Sequence, residues 1–377
     1  MLLRTNGKKM AAIMACILAF SALTACGSKG DGAESSLQLS AEPITSNDAA
    51  TESTSEETTE EVSYEIPEGM YLSEITGEPI SEEIKDQRPI AVMVDNEKTA
   101  LAHFETADAD VVYEIMNSTK NDRITRFMCI VKDWGKIKQF GSIRSTRPTN
   151  ILLAAEWNAV LCHDGGPYHN DAYFKNPWAE HFSGTFSRVD NGKKREFTEY
   201  IVSGDLEKNF KNSGYSTTYN EYANEGSHFN FAPYGKEINL DEKYSRSYPA
   251  KSVSLPFKHT GTQLKYNEDT KEYEQYEYDA RHEDAETNAP LSFKNVILQN
   301  CSFNQLDENG YLIYNCIGNG NGWYLTNGVA KDITWVKDSM TGVTKFFDEN
   351  GDELQINTGK TYISLIPEDT WGNVVFE

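Results

Sequence analysis

Pro89-Ile90-Ala91-Val92-Met93-Val94-Asp95 is apolar at five consecutive positions and closes on an acid. The run is too short for an ordinary helix and does not alternate. It therefore predicts a strand covered on both faces. Ile124–Val131 (ITRFMCIV) and Ala159–Cys162 (AVLC) read the same way. Thr149–Trp157 has helical spacing behind Pro148, a residue that suits a first helical turn. Ser203-Gly204-Asp205-Leu206-Glu207 predicts another helix with Ser203 as N-cap, ended by Asn212-Ser213-Gly214. Alternating strands and helices predict a mixed α/β domain.

Past residue 230 the pattern is strands and turns. Gln263–Tyr266 and Tyr273–Tyr278 flank Asn267–Thr270. Val296–Leu298 and Tyr311–Tyr314 flank Asp307-Glu308-Asn309-Gly310, and Thr344–Phe347 and Glu353–Ile356 flank Asp348-Glu349-Asn350-Gly351. Polar turns ending in Asn-Gly between β-rich runs predict hairpins. The fold class expected is α+β: a mixed α/β domain over 67–230, then a mostly antiparallel β domain over 231–377. Gly318-Asn319-Gly320-Asn321-Gly322 has the wrong spacing for a dinucleotide fingerprint and is expected to be a loop among strands. Trp323, Tyr324 and Trp335 are expected in the core.

The N-terminus assigns a compartment. Arg4, Lys8 and Lys9 precede the apolar run Met10–Ala22, and Leu23-Thr24-Ala25-Cys26 follows. Small residues before a cysteine, after a hydrophobic stretch too short to span a bilayer well, predict a lipoprotein signal over residues 1–25 and lipid on Cys26. Residues 26–66 hold Lys29 against ten acids and have little to bury, which predicts a disordered tether. The expected location is the extracytoplasmic face of the cell membrane, held by lipid. The whole chain carries −23 at neutral pH, which disfavours nucleic acid as a partner.

Of six cysteines, Cys16 leaves with the signal and Cys26 takes lipid. Cys301 and Cys316 are placed symmetrically about Asp307–Gly310, so a hairpin centred there sets them across from each other. A disulfide and two buried thiols are both compatible with that register. Cys129 and Cys162 fall in expected core strands. Cys162 and His163 do not make a nucleophile pair, since neighbouring strand residues point to opposite faces.

Within this acidic protein Arg123, Arg126, Arg144 and Arg147 lie close together in sequence. Arginine suits bidentate capture of carboxylate or phosphate. Ser142 and Ser145 are expected to complete an anion pocket, with the helix start after Arg147-Pro148 favouring negative charge. The competing reading is structural pairing with Asp95, Asp110, Glu114 and Asp122. His163-Asp164-Gly165-Gly166 closes a buried strand, where α/β proteins place sites. His169, Asp171, Glu180 and His181 follow without a metal-binding motif, so no metal and no cofactor are expected.

RPIAVMVDN, ADVVYE, ITRFMCI, GSIRSTRP, the HDGG strand end, PLSFKNVILQ, DITW and GKTYISLIP together resemble YerB-like lipoproteins of Gram-positive bacteria, over roughly residues 70–368. The resemblance implies two sequence regions matching the two halves, an envelope location and no known activity. Asp95, Asn96, Glu114, Thr125, Arg126, Ser142, Arg144, Ser145, Arg147, His163, Gly165 and Gly166 stand at positions that recur in that family. So do Asp332, Trp335, Gly359, Lys360 and Thr361. Phe197-Thr198-Glu199-Tyr200 departs from a His-Asn-Leu-Tyr run common in relatives, and Asp164 replaces a small residue. The first functional reading is a module that binds an anionic wall polymer or peptide through Arg126, Ser142, Arg144, Ser145, Arg147, His163, Asp164, Gly165 and Gly166. The second is a hydrolase of wall glycan or phosphodiester, with Asp95, Glu114 or His163 as acid or base. The third is an envelope scaffold without a small ligand.

Overall fold

The computed structural model describes residues 64–377, which form one compact unit. The expected signal, the lipidated Cys26 and the tether lie outside the described residues. No helix among the described residues is long and apolar enough to cross a membrane.

The fold is α+β, and its spine is one mixed sheet. The strands in chain order are β1 (Ile90–Asp95), β2 (Val111–Met116), β3 (Thr125–Val131), β4 (Val160–His163), β5 (His181–Ser183), β6 (Tyr248–Pro249), β7 (Asn295–Cys301), β8 (Gly318–Thr326), β9 (Val329–Lys337), β10 (Lys345–Phe347) and β11 (Thr361–Pro367). Their order across the sheet is β6-β9-β8-β7-β11-β2-β3-β1-β4-β5, with β10 also on β9. The two halves meet at β11 and β2, which run parallel with Thr361 opposite Val111. The sequence change near residue 230 therefore separates two compositions within one shared sheet.

β1, β2, β3 and β11 are buried at every position, as their largely apolar sequences suit, and the polar residues within them, such as Glu114 and Arg126, are buried too. Period-two geometry sends Ala91, Met93, Tyr113 and Ile115 to one face and Ile90, Val92, Val94 and Val112 to the other. The first face is covered by α1 (Pro148–Glu156) through Ile151, Leu152 and Leu153. The second is covered by α2 (Asp205–Ser213) through Leu206 and Phe210, and by a smaller sheet contributing Val253, Leu264, Tyr273 and Phe293.

Several local expectations need correcting. The cap of α2 is Gly204 at φ 88°, while the Ser203 hydroxyl donates to the Ile137 carbonyl at 3.2 Å. Gly318–Gly322 is the start of β8 and not a loop. A Cβ on Gly320 would lie 2.7 Å from Trp335 Nε1, so glycine there lets the indole lie across the strand. Tyr324 and Trp335 are buried as expected, whereas Trp323 is half-buried against the core. The Gln263–Asn267 and Glu272–Glu277 strands pair as a hairpin. The second hairpin forms from Phe303–Gln305 and Leu312–Tyr314, whereas β7 pairs with β8. The third shrinks to one bridge, Phe347 with Glu353, because Gln355–Ile356 pairs in parallel with Asn230–Phe231. Phe303 faces Tyr314, the register that sets Cys301 across from Cys316, yet both cysteines are free, buried thiols. Burial pushes both upward, Cys316 to about 11, and no disulfide joins them.

Candidate anion-binding site

The segment between the strand Gln139–Gly141 and α1 carries Arg144 and Arg147 alongside the ends of β1 and β3, while Arg126 lies on β3 and Arg123 just before it. Asp95 closes β1 directly opposite Arg126 on β3. Three distinct environments result.

Arg123 is at the surface and holds Asp369 through two bonds, at 2.8 and 2.6 Å. Arg144 reaches the buried Asp95 carboxylate with Nε at 2.8 Å, donates to the Glu196 carbonyl at 3.1 Å and lies over the Phe197 ring at 5.4 Å. Arg144 is thus paired with Asp95, one of the partners the structural reading named, whereas Arg123 takes Asp369, a partner that reading did not name.

Arg126 and Arg147 differ. Arg126 Nη1 donates to Asn117 Oδ1 at 3.1 Å, the Ser145 carbonyl at 2.6 Å and Ser145 Oγ at 3.0 Å. Arg147 donates from Nε to the Asn117 carbonyl at 3.2 Å, and from Nη1 to Ser145 Oγ at 3.2 Å and the Thr146 carbonyl at 2.8 Å. Its guanidinium lies over the Tyr311 ring at 4.5 Å. Every partner is neutral, although only 4% of Arg126 and 7% of Arg147 is exposed. Burial pushes Arg126 down to about 10, with Asp95 opposing and Arg144 adding. Burial and then the charge of Arg126 push Arg147 down to about 9. Ser145 Oγ accepts from both guanidinium groups, which leaves its own proton to donate.

Arg144 also lines an open cleft of about 420 Å³, together with Asp164, Arg188, Lys194, Arg195 and Glu196. Arg188 holds Asp164 at 2.8 Å and also the buried Glu199. Burial, then Asp164, push Glu199 up to about 7. Burial also raises Asp164, but contact with Glu199 and the charges of Arg188 and Arg144 outweigh it, so that carboxyl lies below its ordinary value.

The other expected site residues fall elsewhere. Ser142 is fully buried behind the cleft, its carbonyl accepting from the Asp95 N–H at 3.1 Å. His163 is buried with both ring nitrogens engaged, by the Gly165 carbonyl at 2.8 Å and His181 Nδ1 at 2.9 Å. Burial pushes it down to about 4. Gly165 is exposed at φ 72° and donates to Ser183 Oγ at 3.2 Å. A Cβ on Gly166 would lie 2.2 Å from Asn170 Nδ2, so its glycine serves packing. Glu114 is fully buried beneath Thr125 Oγ1 at 2.7 Å, Thr262 Oγ1 at 2.9 Å, Asn96 Nδ2 at 3.2 Å and the Tyr362 hydroxyl at 2.6 Å. None of Asp95, Glu114 and His163 lines the cleft as a free acid or base. In the second half, Thr361 opens β11, Lys360 binds the Ala107 carbonyl and Trp335 covers Gly320. Arg188, Lys194, Arg195, Glu199, Asn117 and Tyr311 were not expected. The basic run Lys193-Lys194-Arg195 in an acidic chain was a usable signal for two of them. Asn117 and Tyr311 gave none, since they arrive from distant segments.

Two family models match this chain. One is described as the N-terminal domain of a protein of unknown function (DUF3048) and spans residues 75–216. The other is the C-terminal domain of the same family and spans 253–363. The chain belongs to the YerB-like family. It is 20% identical over 309 residues to "Putative lipoprotein YerB" of Bacillus subtilis (strain 168), covering 80% of this chain and 85% of that one. The crystal structure of YerB protein from Bacillus subtilis superposes with a TM-score of 0.68 at 19% identity, covering 81% of this chain and 99% of that chain. The shared fold of this YerB-like protein thus includes both halves and the sheet between them. The run Phe197–Tyr200 supplies the ring under Arg144 and the carboxylate on Arg188.

Proposed function

We propose that this protein is a lipid-anchored, extracytoplasmic binding module for an anionic envelope component, a wall-polymer phosphate or a peptide carboxylate. The observation that carries the reading is the pair Arg126 and Arg147. Both are buried, both converge on Ser145, and among the described residues neither has a carboxylate partner. Two buried charges held only by neutral groups are unfavourable unless an anion is supplied. Lys194 and Arg195 are exposed on the neighbouring cleft and extend the positive field for an elongated ligand. Lipid on Cys26 would hold the body at the membrane, in keeping with the lipoprotein name of the Bacillus relative. The test is thermal shift with inorganic phosphate, wall-fragment phosphodiesters and peptide carboxylates. A rise in Tm that is reduced in Lys194→Gln/Arg195→Gln and lost in Arg147→Met supports the reading. An unchanged Tm with all three ligand classes defeats it. For the anchor, Cys26→Ala is expected to release the protein from the membrane fraction.

A second reading has one observation in its favour. Asp164, which lines the cleft, and the buried Glu199 share Arg188, and their acidities are pushed apart. Such a pair can divide acid and base roles in hydrolysis of a glycan or phosphodiester. Turnover of a labelled wall fragment that disappears in a folded Glu199→Gln protein would establish it. No turnover across glycan and phosphodiester substrates would remove it.

A further inference from the structure

Away from the arginines, the two sequence halves bring three metal-ligating side chains together in the core. His103 comes from the connection between β1 and β2. Glu277 ends the strand Glu272–Glu277, and His282 follows the short strand Ala280–Arg281 that folds back on it. All three are buried, with exposures of 0, 2 and 4%. Their ligand atoms lie within 4.8 Å of one another.

The hydrogen bonds orient the rings. His103 Nε2 bonds the Asp95 carbonyl at 2.5 Å, and His282 Nε2 bonds Thr106 Oγ1 at 3.3 Å. That leaves the Nδ1 atoms for the cluster: His282 Nδ1 is 2.8 Å from Glu277 Oε1, and His103 Nδ1 has no partner. Glu277 Oε2 is likewise buried without a partner. A ligating histidine characteristically hands its distal nitrogen to a carbonyl or hydroxyl, which fixes the ring and the tautomer. An unpartnered imidazole nitrogen and an unpartnered carboxylate oxygen, both fully buried, cost free energy that a shared cation would remove.

We infer that His103, Glu277 and His282 form a site for one divalent first-row transition metal, with water in the fourth position, and zinc is the best match to two imidazoles and a carboxylate. Ligand atoms around a tetrahedral zinc lie roughly 3.4 Å apart, so the side chains need to draw in only modestly from their separations here. The bland alternative is a neutral His282–Glu277 hydrogen bond beside an idle His103. It leaves His103 Nδ1 and Glu277 Oε2 unexplained. Because His103 belongs to the first family region and the other two ligands to the second, the ion would clamp the halves. It would also steady Asp95, whose carbonyl His103 holds and whose carboxylate holds Arg144. The site is independent of the anion proposal.

The experiment uses the purified full chain, unfolded with chelator and refolded with zinc or cobalt, so that burial does not block loading. The readouts are bound metal per chain after gel filtration and the visible spectrum of the cobalt form. One equivalent with tetrahedral cobalt bands is expected. Glu277→Gln should hold at least tenfold less metal, while His181→Gln, altering a histidine outside the cluster, should keep it. Wild-type protein that binds less than a tenth of an equivalent overturns the proposal even if Glu277→Gln fails to fold. Retention of full stoichiometry and an unchanged cobalt spectrum in Glu277→Gln, or loss in a folded His181→Gln, also overturns it.

Discussion

Replacing Arg147 with methionine separates a binding arginine from a structural one. Its guanidinium is pushed well below its ordinary value, to about 9, by burial first and then by Arg126. A drop of that size corresponds to roughly 5 kcal/mol of unfavourable free energy for keeping the charge in the folded state at neutral pH. Against this stand its hydrogen bonds to the Asn117 carbonyl, Ser145 Oγ and the Thr146 carbonyl. Each is worth about 1 kcal/mol net. Methionine conserves much of the buried stem, so the ligand-free variant is expected to match or exceed the wild type by up to about 2 kcal/mol. Binding should move the other way. Losing a charge-assisted contact costs about 1.5–3 kcal/mol, or about 10–150-fold in Kd for phosphate. Urea unfolding followed by tryptophan fluorescence, with and without saturating phosphate, measures both. A ligand-free loss above about 3 kcal/mol, with the phosphate effect intact, would refute the reasoning and make Arg147 a structural residue.

Other expectations follow from groups away from the cleft. Lys337 and Glu156 form a fully buried ion pair at 2.9 Å, with Glu156 also bound by Tyr113 and Thr344. Lys337→Met strands that carboxylate and should cost about 3–5 kcal/mol in urea unfolding, and a cost below about 1 kcal/mol would contradict it. His228 is buried face-to-face on Trp157 at 3.5 Å, with Glu156, Lys337 and Lys345 around it. Burial lowers its folded pKa from 6.5 to about 3, so its contribution is complete above pH 6.5 and is lost as pH falls toward 3. Between pH 7 and pH 4.5, His228→Phe should therefore lose about 2–3 kcal/mol less than the wild type, and equal losses would exclude the effect. Gly320→Ala puts a methyl against Trp335 and should cost about 1–3 kcal/mol in the same assay, which an unchanged midpoint would refute.

Much of this was legible locally. The unbroken apolar runs at 90–94 and 127–131 marked strands buried on both faces, because the side chains of a strand have only two faces to occupy. Pro148 and Gly214 marked helix ends through their restricted and permissive backbones. Arg126, Ser145 and Arg147 stood out in two arginine-bearing motifs, DRITRF and GSIRSTRP, of an acidic chain. What sequence alone could not decide was pairing. Period-two patterns fix which face a residue occupies, yet not which strand lies beside it, so the parallel contact of β11 with β2 that merges the halves was invisible. For the same reason the turn signals misplaced two hairpins once β8 and Asn230–Phe231 competed for the same edges. Charge compensation also depends on distance. Only the fold shows that Asp95 is taken by Arg144 and that Arg126 and Arg147 are left with neutral partners. It alone brings His103 to Glu277 and His282 across the chain, because long-range proximity leaves no mark on any single stretch of residues.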